Sequence, residues 1–128
     1  MILDSSAVVA LILGGPEAER LLSRLSATAE VAIGAPTLVE ATIVLSHRLG
    51  PIAASLIERF LGELAVDVLP FEERHWRQAI EASRRFGKGF HPAALNFGDC
   101  MAYASARVAG RPLLSTGEDF AKTDLLLA

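Results

Sequence analysis

The stretch MILDSSAVVALI (residues 1–12) sets a short apolar run, then a carboxylate at Asp4, then two serines and a longer apolar run. MIL reads as a short buried strand that ends on Asp4. AVVALILG reads as a helix that Ser5 or Ser6 can cap and that Gly14, Gly15 and Pro16 stop. A strand that passes straight into a helix, with an acid at the junction, opens an α/β unit, and the same alternation continues downstream.

Pro16 suits the first turn of a second helix over residues 16–27, with Leu21, Leu22 and Leu25 as its apolar stripe. VAIG (31–34) is a second strand. Pro36 begins a helix to Leu49 with Leu38, Thr42, Leu45 and Leu49 on one face, and Gly50 ends it. Pro51 opens the next helix, in which Ile52, Leu56 and Phe60 are spaced for burial. VDVLPF (66–71) is a third strand, and a helix over 75–86 breaks at Gly87. Asn96 can cap a helix over 97–109 that Gly110 ends. PLLS (112–115) is a fourth strand, and a short turn or helix over 117–122 precedes the tail. Strands alternating with helices at this spacing predict an α/β fold, a three-layer α/β/α sandwich around a parallel sheet of four to five strands. The 128 residues are expected to form a single domain.

Apolar residues make up 52% of the chain, and mean hydropathy is +0.39. The longest stretch without Asp, Glu, Lys or Arg is the 12 residues 5–16. A bilayer-spanning helix needs about 20, so no membrane span is expected. The N-terminus has no basic segment and carries Asp4, which argues against a secretory signal. The single cysteine, Cys100, excludes an internal disulfide framework and a cysteine-based zinc site, and its setting reads as core. A cytoplasmic location is expected. The apolar excess fits an additional buried surface such as a dimer or partner interface. Net charge is −3, so bulk charge does not attract polyanions. The one basic cluster is Arg84, Arg85 and Lys88, readable as a phosphate track for RNA or as an ordinary solvated helix end.

In open parallel sheets, ligand chemistry gathers outside the carboxyl ends of the strands. Asp4 ends the first strand, Glu40 lies about one turn into the helix after the second, and Asp99 lies in the first turn of the helix begun by Asn96. Asp119 follows the last strand. Each has a plain structural alternative: Asp4 as a cap, Glu40 as a solvated position, Asp99 as half of a capping box with Asn96, and Asp119 as a partner of a helix dipole. Taken together, their first turns can face one edge of the sheet. Carboxylates gathered there repel one another and take up protons unless cations balance them. Oxygen ligands suit Mg²⁺, which lets such a site activate water against a phosphodiester. Asp4 therefore reads as a metal ligand. Ser6 can bond Asp4 or a metal-bound water, or cap the helix. Ser115 and Thr116 can contact phosphate or shape a turn. His75 and Trp76 read as packing at a helix start.

These residues resemble the PIN-domain ribonucleases, in particular the VapC-type toxins of bacterial type II toxin–antitoxin systems. The resemblance runs the full length. It is carried by LDSSAVVAL, PTLVEA and, most specifically, RRFGKGFHPAALNFGDCMAYASARVAGRPLLSTGEDFAKTDL. It implies an endoribonuclease dependent on Mg²⁺, with Mn²⁺ as a substitute, acting on structured RNA such as tRNA or ribosomal RNA. Position by position it implies Asp4, Glu40, Asp99 and Asp119 as catalytic acids, Asp4 and Asp99 as metal ligands, and a homodimer held inactive by a VapB-type antitoxin. Some relatives carry an aspartate where this chain has Gly117, which leaves Glu118 as a rival to Asp119. A phosphatase with an aspartyl nucleophile generally wants a second aspartate at the position of Ser6, which counts against that reading. A PIN-fold binding module that cuts nothing stands as the alternative.

Overall fold

The computed structural model describes residues 1–28 and 30–128. In chain order the elements are β1 (Ile2–Leu3), α1 (Ser5–Leu13), α2 (Ala18–Ser26), β2 (Ala32–Gly34), α3 (Ala35–Leu49), α4 (Ile52–Glu63), β3 (Asp67–Leu69), α5 (Glu73–Phe86), α6 (Phe97–Ala109) and β4 (Leu113–Leu114). A 3₁₀ helix over Asp119–Lys122 follows. The four strands form one parallel sheet in the order β3-β2-β1-β4. The tail adds a single bridge, Leu113 to Leu127, beside the edge of the sheet rather than a fifth strand.

The pleat accounts for the layers. Ile2, Ala32 and Leu113 lie in register, and so do Leu3, Ile33 and Leu114. Successive side chains point to opposite faces. The first set packs with Ala79, Ala82, Phe86 and Tyr103 of α5 and α6. The second packs with Val8, Leu21, Leu45 and Ile57 of α1 to α4. Both sides of the sheet are covered, which is why its strands are apolar throughout and do not alternate. The expected α/β/α sandwich is the fold.

Several buried stripes differ from the sequence expectation by one residue. The buried face of α3 is Thr37, Ala41 and Leu45, while Leu49 stands at the surface. In α4 the buried positions are Ala53 and Ile57, and Ile52 is exposed. Leu22 leaves the α2 stripe for solvent. In α3 and α4 smaller residues, Thr37, Ala41 and Ala53, take inward positions, whereas in α2 Leu21 and Leu25 keep the buried face. The third strand is shorter than 66–71, spanning only Asp67–Leu69 at the sheet edge.

The chain winds from β1 to β3 in one direction, then returns to place β4 on the other side of β1. The reversal falls between β1 and β4. A crevice opens at such a switch point beyond the carboxyl ends of the strands.

Candidate active site

Asp4 sits at that crevice, directly after β1. Its backbone bonds into β4, with Asp4 N donating to Leu114 O at 2.9 Å. Asp4, and neither serine, is the cap of α1: its Oδ2 accepts from Ser6 N at 3.1 Å. Ser6 Oγ donates to the same oxygen at 2.6 Å and accepts from Thr116 N at 3.0 Å. The loop after β4 is thus tied to the Asp4 carboxylate through one hydroxyl. Ser115 contributes its carbonyl, which accepts from Arg20 at 3.0 Å. Thr116 acts through its backbone, a role that residue type does not signal.

Asp4 is 4% exposed, and its Oδ1 is buried with no hydrogen-bond partner among the described residues. Burial pushes its carboxyl up to about 6; the negative charges of Asp99 and Glu40 push the same way, against the two Ser6 bonds. Asp99, half-buried, is also raised, by burial first and then by Glu40 and Asp119, against its bond from Asn96. Asp4, Glu40, Asp99 and Asp119 are therefore linked by mutual repulsion, and four acids remote in sequence share one rim.

Local chemistry fixes each acid differently. Asn96 and Asp99 make a reciprocal capping box: Asp99 N donates to Asn96 Oδ1 at 2.9 Å, and Asn96 N donates to Asp99 Oδ2 at 3.0 Å. The capping reading of Asp99 holds, and the box engages only Oδ2. Glu40 is half-buried, and its carboxylate lies over Gly98, beside Asp99. Asp119 is exposed in the first turn of the 3₁₀ helix, which Phe120 anchors in the core. Glu118, also exposed, borders a separate hollow with Glu17, Arg20 and Ala128. Of the two rivals, Asp119 is the one whose charge reaches Asp99.

Among the described residues, no three acidic, histidine or cysteine side chains stand as a ready cage for one ion. The donor set nonetheless suits a hard cation: every donor is oxygen, one is deep and fixed, and its second oxygen, Oδ1, lacks a hydrogen-bond partner among the described residues. Mg²⁺ takes only one or two direct carboxylates and keeps several waters. Asp4 and Asp99 are the residues that could hold it, with Glu40 and Asp119 at the perimeter.

The basic cluster does not form one track. Arg84 pairs with Glu81 at 2.7 Å. Arg85 pairs with Asp124 at 3.1 Å and lies over the Phe86 ring. Lys88 makes no ion pair among the described residues and borders an apolar groove with Phe97 and Asn96, at the start of the Asp99 helix. His75 is buried as the reciprocal cap of α5, its Nδ1 accepting from Glu72 N at 3.0 Å. Trp76 is instead 44% exposed.

A family model described as PIN domain matches residues 1–126. The chain belongs to the PIN-domain family. Its PIN domain is 45% identical over 126 residues to ribonuclease VapC36 of Mycobacterium tuberculosis, covering 98% of this chain and 91% of the relative. It is 35% identical over 125 residues to ribonuclease VapC30 of the same species, covering 98% and 95%. Among solved structures, it resembles M. tuberculosis VapC20, a sarcin-ricin loop cleaving toxin, with a TM-score of 0.78 at 22% identity, covering 99% of this chain and 97% of the other. A DNA-bound VapBC from Salmonella typhimurium gives 0.75 at 18%, covering 98% and 93%. At those identities the likeness is one of fold. Two features of the PIN-domain rim escaped the sequence reading: the backbone of Thr116, and Gly98, whose missing side chain admits Glu40. Among the described residues, no helix is long and apolar enough to cross a membrane.

Proposed function

We propose that this PIN domain, formed by the chain as one unit, is an endoribonuclease dependent on a divalent cation and the toxin of a toxin–antitoxin pair. The observation that carries the reading is the buried, unpartnered Oδ1 of Asp4 on a rim where Asp99 and Glu40 repel it and Asp119 in turn repels Asp99. A carboxylate desolvated among like charges needs a cation or a proton. The relatives named ribonucleases supply the reaction class. Mg²⁺, with Mn²⁺ as a substitute, is the cation we assign, because the donors are all oxygen.

Asp4 and Asp99 would hold the cation, which would supply charge neutralisation and a water of lowered pKa at the rim. Ser6 keeps Asp4 in one rotamer by donating to Oδ2, and the Thr116 amide keeps Ser6 in place. Glu40 and Asp119 orient water and repel misplaced anions. RNA approaches a negative rim, so its phosphates need cations outside it. Lys88, the member of the cluster without an ion pair, is the first contact we assign. Arg84 and Arg85 contribute only if they release their acids.

A VapB-type antitoxin would silence such a site by placing a cationic side chain among the acids. A trough of about 570 Å³ beside Ser6 and Thr116, walled by Val9, Leu13 and Val44, is where we seat its apolar residues. The second copy of a homodimer would cover the exposed apolar face of Trp76, Ile80 and Phe97, which surrounds a groove of about 680 Å³. Because a toxin of this kind would meet its antitoxin and its RNA in the cytoplasm, that is the location we assign.

Purified protein incubated with structured RNA should cut it in Mg²⁺ or Mn²⁺ and stop cutting in a chelator. Metal-independent cleavage, or metal-dependent cleavage fully retained by Asp4→Asn, contradicts the proposal. A chain that binds RNA with no cleavage and no thermal stabilisation by either cation is the non-catalytic module instead.

A further inference from the structure

Gly98 is a poor residue for its place. It is the second residue of α6, where glycine costs more backbone entropy than alanine. Its φ is not in the left-handed region, so backbone geometry does not require it. It is buried, and the space its side chain would take is already filled. A Cβ built there lies 2.6 Å from Glu40 Cδ and 2.7 Å from Oε1, and nearer still to Oε2. The intruder is the end of a side chain from α3, in the opposite helical layer. It reaches α6 one residue before Asp99 and at the helix end whose free N–H groups favour negative charge.

We infer that Gly98 is the seat of the Glu40 carboxylate: a positioning residue whose missing side chain lets a glutamate from one face of the sheet meet an aspartate from the other at the metal rim. The inference rests on the proposed metal role of Glu40. A methyl group at position 98 is small, and the carboxylate it displaces is the flexible end of a side chain. The fold should therefore tolerate the change while the arrangement of acids does not. This separates Gly98 from a glycine needed for packing or for a turn, where alanine strains the backbone.

The test compares the parent with Gly98→Ala, Glu40→Ala and the double variant, each as the full chain. Mn²⁺ binding is followed by calorimetry and by melting temperature, and RNA cleavage is measured alongside. Gly98→Ala should fold with a metal-free melting temperature equal to or a few degrees above the parent, because alanine is the better helix former. Its Mn²⁺ affinity should fall by about tenfold or more, as expected when a supporting contact at a metal site is lost. In the Glu40→Ala background the same glycine change should leave Mn²⁺ affinity within about twofold, since nothing remains to be displaced. Parental Mn²⁺ affinity in Gly98→Ala overturns the inference when Glu40→Ala is impaired. So do additive losses in the double variant, which place the effect of Gly98 elsewhere. Should Gly98→Ala fail to fold, the double variant decides: a folded double supports the seat, and an unfolded one overturns it. Parental Mn²⁺ binding by Glu40→Ala removes the role of Glu40 itself, and the seat falls with that wider proposal.

Discussion

Asp4 caps α1 with one oxygen and leaves the other buried without a partner. The cap stabilises the helix start, while the desolvated charge costs free energy in the metal-free protein. Because its folded pKa is raised from the ordinary 3.8 to about 6, the native state holds a proton there that the unfolded chain has released. Between about pH 4 and 6 stability therefore falls as pH rises, the reverse of an ion-paired aspartate, by on the order of 3 kcal/mol in total. Asp99, also raised, acts in the same direction. Urea denaturation of chelator-treated protein should give a higher midpoint near pH 5 than near pH 7. The cation needs the carboxylate form, so metal-induced stabilisation and RNA cleavage should both decline below about pH 6. Asp4→Asn keeps an N-cap residue and removes the buried charge. The metal-free variant should be more stable than the parent by about 1–3 kcal/mol, while cleavage drops by at least about a hundredfold. A destabilised variant in the chelator titration would show that the unpaired oxygen is not the strained one.

Elements hold the rim in shape from behind. The 3₁₀ helix bearing Asp119 is fastened at both ends: Phe120 is buried, and Asp124 accepts from Tyr103 Oη at 2.7 Å while pairing with Arg85 and, at 3.7 Å, with Arg107. Burial and the bond to Asp124 push the Tyr103 phenol up to about 12. Burial opposes ionisation of Asp124, but its bonds from Tyr103 and Arg85 outweigh it and lower its pKa. Tyr103→Phe removes one charge-assisted bond and leaves the arginines; a loss of about 1–2 kcal/mol is expected, with faster amide exchange over residues 119–128. In the sheet, Leu114 is fully buried in the core shared with α1 to α4, and Leu114→Ala should cost about 2–5 kcal/mol by chemical denaturation. The order of strands and helices was legible because Gly and Pro punctuate it and the apolar spacing changes period. Which residue of each apolar pair faces inward was not. Leu49 and Ile52 fit a helical stripe as well as Ala41 and Ala53 do, and only the packing of the neighbouring elements decides which of them face inward.

The whole molecule exposes more apolar surface than its acidic rim needs. Phe97 is 80% exposed at the start of the helix that carries Asp99, next to Trp76 and Ile80. Trp76→Glu combined with Phe97→Glu should convert a dimer to a monomer in light scattering at micromolar concentration while leaving helical content unchanged; a parental mass would place the second copy elsewhere. The alternation of strand and helix, the acid at the end of β1 and the capping box of α6 were legible in the chain alone. Each depends on residues within a few positions of one another, or on a strand-end location that the order of elements dictates. Only the tertiary structure decided that Asp119 and not Glu118 joins Asp99, that two of three clustered basic residues are already paired, and that Glu40 rests on Gly98. These are matters of where separate helices meet, and a distance between side chains on opposite faces of a sheet has no local signature in the chain.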